Sequence, residues 1–134
     1  MDEETATVLL VERSRDVRDR IGRWLEEAGY DVMNCSGPIG PEYRCVAERS
    51  GGCPLVRGAD AVVLDLWLES DAVLEGTSGL DLLGYYLGSG RPVVAITHRD
   101  EPISVFCEEN LATLPWPLDR RETVETVGAL LRAW

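Results

Sequence analysis

The chain has 134 residues, 45% apolar and 28% charged, which fits one domain with one core and argues against disorder. Its net charge of −11 disfavours nucleic-acid phosphate as a partner, which needs clustered positive charge. The 13 arginines are scattered among acids, there is no lysine, and no apolar run is long enough to span a bilayer.

The N-terminal Met1-Asp2-Glu3-Glu4 is acidic and precedes no apolar core, so it does not read as a signal peptide. A cytoplasmic location is expected. Val8 to Val11 reads as a buried strand. Ser14 offers the cap of a helix whose apolar face is Val17, Ile21, Trp24, Leu25 and Ala28, and Gly29 ends it. Tyr30 to Asn34 is expected to be a second strand. Residues 35–58 break the rhythm with Gly and Pro, leaving room for a short helix such as Glu42 to Arg49.

Ala61 to Leu66 is the third strand, closing at or near Asp65. After a loop, Ser78 caps a helix through Leu87 with Leu82, Leu83, Tyr86 and Leu87 as its apolar side, and Gly88 and Gly90 end it. Pro92 to Thr97 is the fourth strand, Pro102 to about Asn110 a short helix, and Leu111 to Leu114 the fifth strand. Asp119 and Glu122 form a capping box for a last helix that buries Val124, Val127, Leu130, Leu131 and Trp134.

Strands alternating with helices predict an α/β, doubly wound parallel sheet in a single domain over residues 1–134. The ligand site of such a sheet lies outside the carboxyl ends of its strands. Those ends carry Glu12, Arg13, Cys35, Asp65, Thr97 and Trp116. A small enzyme on this sheet is disfavoured, because Glu12-Arg13-Ser14 stands where a glycine-rich phosphate loop belongs.

Cys35, Cys45 and Cys53 fall in the irregular segment that replaces a regular second helix, with no C-x2-C knuckle. Three readings stay open: thiols packed as small hydrophobes, a disulfide or redox switch, and a site for Zn²⁺ or an iron–sulfur cluster. A fourth metal ligand is not obvious, since Cys107 lies far along the chain and His98, the single histidine, reads as a solvated loop residue.

In Val8-Leu9-Leu10-Val11-Glu12, Trp24 through Val32, Asp60 through Leu66, Pro92 through Thr97 and the step Trp116-Pro117, the chain resembles the receiver domain of bacterial response regulators. The likeness runs from Thr7 to Trp134 and implies the CheY-like, flavodoxin-like strand order 2-1-3-4-5. It implies that Asp65 matches the aspartate that accepts a phosphoryl group, Glu12 the first of two Mg²⁺-binding acids, and Thr97 the hydroxyl that contacts the phosphoryl oxygens. Two positions depart. Arg13 replaces the second acid, which disfavours Mg²⁺ and offers a partner to Asp65 or Glu12. Trp116 replaces the lysine after the last strand and is a neutral donor only. The aromatic switch position falls on Thr113.

These departures favour a pseudo-receiver: a stand-alone signalling domain, not an enzyme, that works through protein contacts in two-component signal transduction or a phosphorelay. Its expected partner is a histidine kinase or an output protein, with a homodimer through the last helix and the strand before it left open. The alternatives are a phosphorylatable receiver with Asp65 as acceptor and Arg13 as the cation, and a metal- or redox-sensing domain that uses Cys35, Cys45 and Cys53.

Overall fold

A computed structural model of the chain describes residues 5–12, 14–35, 58–65, 79–97 and 110–133. Five strands form one sheet: β1 (Thr7–Val11), β2 (Asp31–Cys35), β3 (Ala61–Asp65), β4 (Val93–Thr97) and β5 (Leu111–Pro115). The spatial order is β2-β1-β3-β4-β5, and every neighbouring pair is parallel. Among the described residues the helices are α1 (Arg15–Glu27), α2 (Gly79–Gly88) and α3 (Arg120–Ala133). The expected helices over Glu42–Arg49 and Pro102–Asn110, and the side chains of Leu82 and Trp134, lie outside the described residues.

The central strands β1, β3 and β4 are short and almost wholly aliphatic because both of their faces are covered. Side chains alternate between two cores. Leu9, Val11, Val62, Leu64, Val93 and Ala95 meet Leu83, Tyr86 and Leu87 of α2 on one face. Val8, Leu10, Val63, Val94, Ile96 and Leu114 meet Ile21 and Leu25 of α1 and Val127 of α3 on the other. Each fully buried Leu, Ile or Val contributes roughly 1.5–3 kcal/mol relative to exposure.

Helix ends follow the caps expected of them. The Ser14 hydroxyl accepts the Val17 N–H at 3.4 Å, and the Asp119 carboxylate accepts the Glu122 N–H at 2.8 Å. At the far end of α1, Gly29 takes a φ of +101°. The Gly29 N–H then reaches the Glu26 carbonyl at 3.0 Å, and the Tyr30 N–H reaches that of Leu25 at 3.1 Å. This double bond pattern satisfies the last carbonyls of the helix. β2 starts at Asp31, whose N–H donates to the Ala6 carbonyl at 3.0 Å, rather than at the expected Tyr30. Ala28, expected on the buried face, is the exposed C-cap.

Two further boundaries shift. Pro92 has no N–H to give the ladder, and β4 begins at Val93. β5 continues past Leu114 to Pro115, because it is an edge strand. Asn110, Ala112, Leu114 and Trp116 direct their backbone groups toward β4, as the bonds from Val93 N–H to Asn110 O and from Trp116 N–H to Thr97 O require. Pro115 therefore lies in the outward-facing set, where no ladder bond needs its missing donor.

Candidate functional site at the carboxyl ends of the strands

The chain adds β2 on one side of β1 and β3 on the other. This reversal is the switch point of the sheet, the place beyond the strand ends where open α/β sheets bind their ligands. Asp65 is the last residue of β3, and Glu12 directly follows β1. Val11 is level with both Leu64 and Cys35, so Glu12 comes level with Asp65 at the reversal. The two carboxyl groups are 2% and 3% exposed, in that order. Burying such groups is costly unless hydrogen bonds and opposite charge compensate.

Part of that compensation is local. One carboxylate oxygen of Glu12, Oε2, accepts the Ser14 N–H at 3.0 Å. The Glu12 carbonyl accepts Arg18 Nη1 at 2.9 Å, which brings a guanidinium to the β1–α1 turn. The Glu12 N–H donates to the Cys35 carbonyl at 3.0 Å and ties this turn to the end of β2.

Thr97 and Trp116 form the other half of the rim. Asp65 is level with Ile96, and Thr97 with Pro115. The Trp116 N–H donates to the Thr97 carbonyl at 2.9 Å, and the Thr97 hydroxyl is 3.5 Å from the Leu114 carbonyl, a long contact. The Trp116 side chain is 39% exposed, between the exposed Pro115 and Pro117. The Trp116–Pro117 peptide bond is cis. Thr113, at the aromatic switch position, is exposed.

The structure thus brings Glu12, Cys35, Asp65, Thr97 and Trp116 to one rim. Arg13, Cys45 and Cys53 lie outside the described residues, as do Cys107 and His98. Cys35 is half-buried and packs against the apolar cluster on the α2 side. The sequence reading missed Arg18 as a rim residue. Its signal was an arginine one turn into a helix that starts at the rim.

The rim departs at one position from the Mg²⁺ site that the resemblance implies. Glu12 and Asp65 are two carboxylates, one of them already accepting a backbone N–H, and Arg13 follows Glu12 where the second acid belongs. Among the described residues, no group of three or more His, Cys, Asp or Glu side chains could hold a metal ion. No helix among them is long and apolar enough to cross a membrane.

No protein-family model matches the chain, and no curated protein matches it. Solved structures do. A response regulator receiver protein from Sinorhizobium medicae superposes with a TM-score of 0.71 at 19% identity, over 97% of each chain. A CheY-like receiver domain protein from Methanospirillum hungatei gives 0.67 at 17% identity, over 98% of this chain and 100% of its own. The receiver domain of the hybrid histidine kinase CckA gives 0.61 at 26% identity, over 94% of this chain and 99% of its own. With the strand order, the parallel register and the length all in agreement, the chain has the fold of the response-regulator receiver domains.

Proposed function

We propose that this chain is a receiver-type signalling domain that works by protein–protein contact, without standard Mg²⁺-dependent phosphorylation of Asp65. The observation that carries this reading is Trp116. It stands directly after β5, its backbone bonded to Thr97, with its indole 39% exposed. Receiver domains use a lysine at that position, according to the resemblance, to neutralise a phosphoryl group. An indole cannot do so, because it brings one neutral donor.

Phosphoryl transfer to a carboxylate depends on positive charge gathered around the oxygens in flight. In this chain the lysine is absent and Arg13 replaces the second acid. What the rim offers instead is a proline-flanked aromatic surface. Exposed aromatic anchors of this kind are enriched at protein interfaces. The partner on this reading is a histidine kinase or an output protein.

The test is intact-protein mass after treatment with acetyl phosphate, or Trp fluorescence with beryllofluoride, each with Mg²⁺. The wild-type chain is expected to show no adduct. The double variant Arg13→Asp, Trp116→Lys is expected to gain one on Asp65. A stable wild-type adduct on Asp65 would overturn the reading.

A further inference from the structure

Glu12 makes its connections in the β1–α1 turn through three separate groups. Its carboxylate holds the Ser14 N–H at 3.0 Å, its carbonyl holds Arg18 Nη1 at 2.9 Å, and its N–H holds the Cys35 carbonyl at 3.0 Å. Ser14 passes the constraint on. Its hydroxyl caps α1 at the Val17 N–H, and its carbonyl accepts the Arg18 N–H at 2.8 Å. Arg18 is therefore tied to this turn from both its backbone and its guanidinium.

A divalent cation taking Glu12 as a ligand meets two obstacles in this arrangement. At Oε2, one of the two carboxylate oxygens, it competes with the Ser14 N–H. It also approaches a guanidinium fixed on the carbonyl of the same residue, and like charges in a buried site repel strongly. The same contacts give the carboxylate another task. A buried acceptor on the N–H of the N-cap residue Ser14 holds the cap of α1 in place and fixes the entry of the chain.

We infer that Glu12 is the positioning residue of the β1–α1 turn rather than a cation ligand. Its carboxylate holds this side of the rim in one shape, and the rim keeps that shape whatever the Mg²⁺ concentration. This rests on the reading of the rim as a non-standard receiver site.

The experiment compares wild type, Glu12→Gln and Glu12→Ala by thermal unfolding with and without Mg²⁺, by Mn²⁺ binding in electron paramagnetic resonance, and by hydrogen exchange at the Ser14 amide. Glutamine keeps an oxygen for the Ser14 N–H and loses the charge that a metal needs. Wild type is expected to show no Mg²⁺-dependent shift and no saturable Mn²⁺ binding. Glu12→Ala is expected to lose about 5 °C in Tm and to expose the Ser14 amide to exchange. Glu12→Gln is expected to keep that amide protected and most of the Tm. Should Glu12→Ala fail to fold, the Glu12→Gln exchange and Mn²⁺ measurements decide alone.

Saturable Mn²⁺ binding to wild type that disappears in Glu12→Gln overturns the inference, even with Asp65 unmodified. So does a Ser14 amide that exchanges equally in all three proteins. An Asp65 adduct that forms equally with and without Mg²⁺ sinks the proposed function instead, and leaves Glu12 its role.

Discussion

Asp60 and Asp65 flank β3 at opposite ends, and the contrast between them separates the amino end of this sheet from the end that carries the candidate site. Asp60 is exposed, and its Oδ2 accepts the Thr7 N–H at 2.8 Å to pin the start of β1. Across the sheet, the buried Asn110 does similar work: its side-chain amide donates to the Arg91 carbonyl, and its own carbonyl accepts the Val93 N–H, each at 2.7 Å. At the amino ends, polar side chains are spent on backbone groups of neighbouring strands. At the carboxyl ends, Glu12, Asp65 and Thr97 come to one rim, with Trp116 exposed beside them. Glu12 repeats the amino-end habit there, with its carboxylate on the Ser14 N–H.

Three substitutions break or sharpen this contrast. Asn110→Ala has the largest expected effect. It strips the Arg91 carbonyl of a buried donor and should cost about 2 kcal/mol in urea unfolding. Asp60→Ala should cost less, about 0.5–1 kcal/mol, because water can replace an exposed acceptor at the Thr7 N–H. Thr97→Val should cost under about 0.5 kcal/mol, since a 3.5 Å contact to the Leu114 carbonyl holds little. A Thr97→Val loss as large as that of Asn110→Ala would make the rim hydroxyl a structural group and erase the contrast.

The elements of the sheet could be read from the sequence because each carried a distinct local signal. Val8–Val11 and Ala61–Leu64 are aliphatic runs whose strand length and valine content favour strands buried on both faces. Ser14, Gly29 and Asp119 announced their caps. The boundaries that moved did so for reasons outside single-residue preference. β2 begins at Asp31 because the first bond toward β1 forms there, from the Asp31 N–H to the Ala6 carbonyl. β5 gains Pro115 because nothing on the edge side asks for its donor. Ala28 reads as the next apolar step of a helical face, yet the helix stops one residue short of it.

At the site, the positions of Glu12, Cys35, Asp65, Thr97 and Trp116 followed from where the strands end. Their partners did not. That Oε2 of Glu12 turns to Ser14, and that Arg18 bends to a carbonyl six residues earlier, depends on the angle at which α1 leaves β1. Sequence spacing carries no information on that angle. The exposure of Trp116 was legible for a simpler reason: a large ring between two prolines at an edge has no neighbouring strand to cover it.

Pro115 has one further consequence. A foreign chain seeking to extend the sheet by pairing along β5 needs a regular row of backbone donors and acceptors. Over Leu111–Pro115 it finds that row interrupted at its last step, next to an indole and a second proline. The edge is therefore a poor template for head-on stacking of copies into fibres.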